Sequence, residues 1–207
     1  ATLRLCRWLK PDGPAWLGTA SAALGAAAFG ASPLLWSQAV ITEVYTLNAL
    51  FAGALLLVAS HLAIPPPSDQ SGPMASDRKL ALFGFLLGIG LGNHLTLLAV
   101  AAPLLYWLWK ALGWRRLASP WIIGAFLLGI SVYAYLPIRA SQHPPVNWGN
   151  AETLNGAFWM LTARPYQDYV FGVAPGTIPT RLASRLELVF SQFNPLGLFF
   201  GLIGARA

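Results

Sequence analysis

Residues Leu80 to Trp109 read LALFGFLLGIGLGNHLTLLAVAAPLLYWLW, 30 residues without an Asp, Glu, Lys or Arg. As one straight helix this stretch would be about 45 Å long at 1.5 Å per residue. The hydrocarbon core of a bilayer is only about 30 Å thick. Near the middle stand Asn93 and His94. Polar groups at that depth are costly and face a cavity or a partner. Two readings follow: one long tilted helix carrying a polar pair, or two short helices turning at Gly92-Asn93-His94.

Charge separates them. With a turn, the basic arm Arg4/Arg7/Lys10, the Arg78/Lys79 loop and the Lys110/Arg115/Arg116 loop fall on one side of a membrane. Short connections rich in Lys and Arg belong on the cytoplasmic side. Without the turn, Lys110 to Arg116 lands on the opposite side, against that rule. The hairpin is therefore the predicted form, with arms short enough to need a thinned bilayer or burial in protein.

Outward from this stretch the pattern repeats. A first span is predicted over Ala15–Ala31, with Gly18, Ala22, Ala26 and Gly30 at the spacing that lets helices approach closely. Ser32-Pro33 ends it. Leu34–Asn48 (LLWSQAVITEVYTLN) reads as an interfacial or re-entrant helix leading into a second span, Tyr45–Ile64. Pro65–Lys79 is a proline-rich linker. Pro120–Ile138 is a further span, and a long loop runs from Arg139 to about Arg185 before a last span near Leu186. The expected fold is an all-α polytopic membrane helix bundle of about five to six spans. It forms one transmembrane domain fragment over 1–207 with an outer-face loop at about 139–185.

Composition agrees. Of 207 residues, 56% are hydrophobic and 10% charged, against about 25% charged in soluble domains. The net charge of +6 comes from residues that mostly flank apolar runs. With no basic helix face and no binding motif, nucleic acid is not an expected partner; the lipid bilayer is. The single Cys6 rules out an internal disulfide and a cysteine-based zinc cluster. The chain starts at Ala1 without Met and ends in an apolar run, so it is expected to be a fragment of a larger protein.

Candidate chemistry is sparse. Glu43, in ITEVYTLN, is either an interfacial carboxylate in water or a ligand for a metal, a sugar hydroxyl or a basic neighbour. Asn93, His94 and Thr96, in GLGNHLT, either cap a helix hairpin or place His94 on an anion such as a lipid phosphate, to which imidazole donates well. Gly84, Gly88 and Gly92 form a packing face rather than a phosphate cradle. Arg139, ending YAYLPIRA, either snorkels to the interface or binds an anion. Trp148, in QHPPVNWGN, is a belt residue or a platform for a sugar ring. Tyr166, Asp168 and Tyr169 are an acceptor-binding cluster or a solvated loop. No GxSxG, HExxH or DxD occurs, and no metal site is inferred.

Taken together, SPLLWSQAVITEVYTLNALF, GLGNHLTLL, YAYLPIRASQHPPVNWGN and RPYQDY resemble a family of multi-pass membrane proteins long catalogued as a domain of unknown function. It includes a vertebrate endoplasmic-reticulum transmembrane protein O-mannosyltransferase. The likeness runs from about Ala15 to Arg185, and the family in turn resembles the GT-C glycosyltransferases. It implies inverting transfer of a sugar, mannose first among candidates, from a polyprenyl-phosphate donor to a protein hydroxyl on the outer or luminal face. A carboxylate would take the hydroxyl proton, and cations or donors would stabilise the leaving phosphate. The resemblance gives His94 and Arg139 to the phosphate, with Asn93 and Trp148 beside the substrate, and makes Glu43 an accessory carboxylate. The cofactor is left unassigned, with a divalent metal one option. The family's first outer loop carries an acidic GDSGE-like motif, the expected main base. That motif is absent from these residues, so the fragment is expected to be inactive alone.

Two rival readings stand beside this one. A transporter or lipid flippase would use the Asn93-His94 break as a midplane site. A scaffold without catalysis would leave Glu43, His94 and Arg139 in separate places. The expected location is a bacterial plasma membrane, or the endoplasmic reticulum in a eukaryote.

Overall fold

The computed structural model of the chain describes residues 6, 13–41, 43–64, 73–147 and 149–204. The basic arm at Arg4, Arg7 and Lys10, residues 65–72 of the linker expected over Pro65–Lys79 and Trp148 lie outside the described residues. The rest of that expected linker, 73–79, is helix instead, because Pro73 suits a first helical turn. Two compact units form, Ala1–Val132 and Tyr133–Ala207. Among the described residues all regular structure is helical.

The first unit begins with α1 (Ala15–Gly30) and α2 (Pro33–Ala39). The pair bends by 53° between them. The cause is local: Pro33 fixes the first position of α2 and offers no N–H, and the Ser32 hydroxyl accepts from the Leu35 N–H at 3.3 Å. The small-residue stripe of α1 is half-covered at Gly18 and Ala22 but exposed at Ala26 and Gly30. It is therefore only partly used for packing among the described residues.

Next come α3 (Tyr45–Ala63), α4 (Pro73–Asn93), α5 (Leu97–Leu112), the single turn α6 (Trp114–Leu117) and α7 (Pro120–Ile130). Their core is one apolar cluster. Leu55, Ala59 and Leu62 of α3 meet Leu80, Phe83, Leu87 and Leu91 of α4, and Leu97, Ala101, Leu104 and Leu108 of α5, with Ile122 of α7. Each set recurs every three or four residues, so each helix buries one stripe.

The direction of α5 settles the hairpin. The Arg116 guanidinium donates to the Ser76 hydroxyl at 2.7 Å across 40 residues of sequence, and stands 3.3 Å from an Asp77 carboxylate oxygen. In one continuous helix those residues would be about 60 Å apart. The chain therefore reverses after Asn93, as the charge pattern predicts. The Arg78 and Arg116 segments share one end of the unit.

Helices α4 and α7 run side by side in the same direction. A Cβ added at Gly84 would strike the Ile122 carbonyl oxygen. One at Gly88 would strike the Phe126 carbonyl oxygen and lie 2.7 Å from the Ile130 nitrogen. Reciprocally, a Cβ at Gly129 would strike the Phe85 carbonyl oxygen and lie 2.8 Å from the Ile89 nitrogen. Backbone meets backbone here, which is the use of a small-residue face in lipid.

Two helical stretches among the described residues are long and apolar enough to cross a membrane, Tyr45–Ala63 and Pro120–Ala140, or three if the bent pair α1–α2 counts as one span. The chain is a membrane protein. The hairpin arms are shorter than a standard span, as expected: α5 has 16 residues, and α4 carries Asp77, Arg78 and Lys79 in its early turns. These short arms account for part of the gap to the larger number expected; the last helix, where a further span was expected, is not among the candidates either.

In the second unit, α8 (Tyr135–Ala140), α9 (Leu154–Leu161), α10 (Gln167–Phe171) and α11 (Ile178–Gly204) follow one another, with short 3-10 turns before α10 and α11. The segment expected as loop thus holds two short helices. The last helix starts at Ile178 rather than near Leu186. Arg181 and Arg185, which read as loop residues, occupy its early turns, with Glu187 just after them.

Candidate functional site

The Asn93–Thr96 turn gathers several polar side chains at one end of the first unit. Its backbone is tight. The His94 N–H still bonds the Gly90 carbonyl at 3.0 Å, closing α4. Then Leu97, Leu98 and Ala99 each donate three residues back, to His94, Leu95 and Thr96. These short-range bonds reverse the chain without a left-handed residue.

Asn93 joins the turn to α3. Its Nδ2 donates to the Val44 carbonyl at 3.2 Å, the same oxygen that accepts from the Asn48 N–H at 3.0 Å. Asn93 thus adds a second hydrogen bond to a carbonyl already engaged within α3, and ties the end of α4 to the start of α3. Glu43 precedes Val44 directly. It is exposed, and among the described residues nothing pairs with its carboxylate.

His94 is half-buried. The Thr96 backbone N–H points at its Nδ1 at 3.2 Å, and the Thr96 hydroxyl lies 2.7 Å from the same nitrogen. An N–H only donates, so Nδ1 is an acceptor and carries no proton. In the neutral ring the proton then sits on Nε2. The Tyr45 ring packs against the imidazole at a centroid distance of 5.5 Å, tilted by 49°. Such aromatic contacts are worth about 0.5–1.5 kcal/mol and hold a ring in place.

Behind Thr96 stands Asn48, whose Nδ2 donates to the Thr96 hydroxyl oxygen at 3.2 Å. Its own Oδ1 is buried without a hydrogen-bond partner among the described residues. The Thr46 hydroxyl reaches back to the Gln38 carbonyl at 3.2 Å, tying the end of α2 to α3. The turn is therefore capped through His94 Nδ1 and tied to α3 through Asn93. The second nitrogen of His94 remains a donor that no described residue uses.

Of the residues singled out from sequence, Asn93 and His94 come together in this unit, with Glu43 one residue from Asn93's partner. Arg139 belongs to the second unit. It lies exposed in the last turn of α8, and its guanidinium donates to the Gln142 Oε1 at 2.9 Å. Beyond it, His143 Nδ1 stands 3.8 Å from a Glu152 carboxylate oxygen. His143 and Asn150 both take left-handed backbone conformations. Trp148 lies outside the described residues. Sequence reading passed over Asn48 as part of this cluster. The available signal was an amide one turn inside an otherwise apolar span. Among the described residues no group of three or more His, Cys, Asp or Glu side chains comes together.

Residues 9–117, which contain both Val44–Asn48 and the Asn93–Thr96 turn, match the family described as Protein O-mannosyl-transferase TMEM260 N-terminal domain. The chain belongs to this family. Relatives carry the same description. The Protein O-mannosyl-transferase tmem260 of Dictyostelium discoideum is 27% identical over 201 residues, 91% of this chain and 24% of that protein. The Protein O-mannosyl-transferase TMEM260 of Mus musculus is 28% identical over 138 residues, 64% of this chain and 19% of that protein. The chain thus spans about a quarter or less of the length of these curated TMEM260 relatives. No solved structure matches.

Proposed function

We propose that this chain is the N-terminal membrane part of a protein O-mannosyltransferase of GT-C type. The full protein would move mannose from a polyprenyl-phosphate donor to a protein hydroxyl on the outer or luminal face. The observation that carries the proposal is the family match over 9–117, because it contains the whole polar turn.

The geometry supports a division of labour. The acceptor hydroxyl oxygen attacks the anomeric carbon, the bond from that carbon to the phosphate oxygen breaks, and the phosphate leaves with the electron pair. The hydroxyl proton passes to a carboxylate, the expected acidic motif outside these residues, with Glu43 as an accessory. The leaving phosphate needs donors in a low-dielectric place. His94 offers Nε2–H, since Nδ1 is already engaged. Asn93 holds the start of α3 beside it. A phosphate-binding role for Arg139 and a sugar-binding role for Trp148 rest on the family resemblance alone.

The test uses the full-length protein in membranes with labelled polyprenyl-phosphate mannose. Label passes to protein with the wild type. Transfer falls at least about tenfold in both His94→Ala and Arg139→Ala, about 1.4 kcal/mol of transition-state stabilisation. Absence of transfer by well-inserted wild type with every sugar donor overturns the proposal.

A further inference from the structure

We infer that Thr96 and Asn48 are positioning residues that lock His94 in the Nε2–H tautomer and so determine which ring nitrogen meets the donor's phosphate. The inference rests on the phosphate role proposed above, but its geometry is independent of it. The argument starts from one backbone group. The Thr96 N–H at 3.2 Å makes Nδ1 an acceptor. The Thr96 hydroxyl, 2.7 Å from Nδ1, must then donate its single proton there. With that proton used, the hydroxyl oxygen faces Asn48 as an acceptor only. So Nδ2 rather than Oδ1 of Asn48 must face it, as it does at 3.2 Å. One N–H thus sets the direction of two consecutive hydrogen bonds, running from Asn48 through the Thr96 hydroxyl to His94.

The consequence is chemical. An imidazole with Nδ1 as acceptor presents a donor at Nε2. The other tautomer would present a lone pair there, which repels a phosphate oxygen. Anchoring also differs by element: Thr96 starts α5 while Asn48 sits in α3. The Thr96 contacts to Nδ1 are local to the turn, and Asn48 reinforces them once the hairpin is docked on α3.

Nitrogen-15 spectroscopy of the full-length protein, labelled at histidine and held in phosphatidylcholine nanodiscs, reads the tautomer directly. His94 is assigned by signal loss in His94→Ala. With the ring neutral, the wild type is expected to show a bare Nδ1 and a protonated Nε2. Thr96→Val should lower the ratio of Nε2–H to Nδ1–H forms about fivefold, the scale of one neutral hydrogen bond, and Thr96→Ser should restore it. Asn48→Leu should move the ratio in the same direction by less. A protonated Nδ1 in the neutral wild type overturns the inference, with no variant needed. So does a ratio unmoved by Thr96→Val. Addition of a short-chain polyprenyl phosphate then separates the two ideas. If the tautomer is as stated but the Nε2 signal does not respond, the lock stands and the phosphate role falls.

Discussion

Arg116 reaches Asp77 at 3.3 Å while also donating to the neighbouring Ser76, closing the open end of a helical hairpin whose turn lies at Asn93–Thr96. The contact yields a distance prediction. In a Cys6→Ser background, Ser76→Cys with Arg116→Cys should be joined by a bifunctional maleimide reaching about 10 Å, since a straight helix would hold them about 60 Å apart. No cross-link in inserted protein would contradict the hairpin. The pair itself is half-exposed, so Arg116→Ala should cost only about 1 kcal/mol or less in thermal stability.

The glycine face gives a contrast within one residue type. Gly88→Ala should destabilise by about 1–3 kcal/mol, because the new methyl meets backbone that has no rotamer to give. Gly84→Ala should behave alike. Gly53→Ala and Gly124→Ala meet nothing within 4 Å and should be neutral or stabilising by up to about 1 kcal/mol. Thermal unfolding in detergent checks all four, and equal effects across them would refute the packing argument.

Asn93 should respond to chemistry more than to size. Asn93→Ala removes one donor to the Val44 carbonyl and should cost about 1 kcal/mol. Asn93→Asp is nearly isosteric but sets an acceptor against that carbonyl oxygen, so it should be worse than alanine. Melting temperatures of the two variants, ranked against wild type, decide the matter.

Arg139 separates charge from geometry. Its guanidinium already holds Gln142, leaving further donors for an anion. If it clamps a phosphate, Arg139→Lys should retain the charge yet lose the fork that makes guanidinium a bidentate partner. Donor KM should then rise several-fold with lysine and more with glutamine, while insertion is unchanged. Equal KM for all three proteins would return Arg139 to the role of an interface anchor.

Much of the fold was legible in the residues. The reversal near Asn93 follows from where Arg78, Lys79, Arg115 and Arg116 must lie, and charge placement is a property of sequence. Gly84 and Gly88 announced a close helix contact, though not that α7 would be the partner. The start of α11 is not legible because Arg181, Arg185 and Glu187 depress local hydropathy, while a helix end tolerates charge well. The site was less legible. His94 and Thr96 are two residues apart, so a local cap was readable. The link from Thr96 to Asn48 crosses 48 residues and depends on how α3 docks, for which a single sequence holds no signal.

The glycine contact between α4 and α7 also sets an order of events during synthesis. Helix α4 is complete at Asn93, yet the backbone it must touch, Phe126 to Ile130, is made only later. At about 5–20 residues per second the interval is about 2–7 s. Throughout that time a furrow of bare peptide groups stands open beside a pair of helices too short to be well seated alone. Another protein of the insertion machinery, or the lipid itself, has to line that furrow until α7 arrives and takes the place.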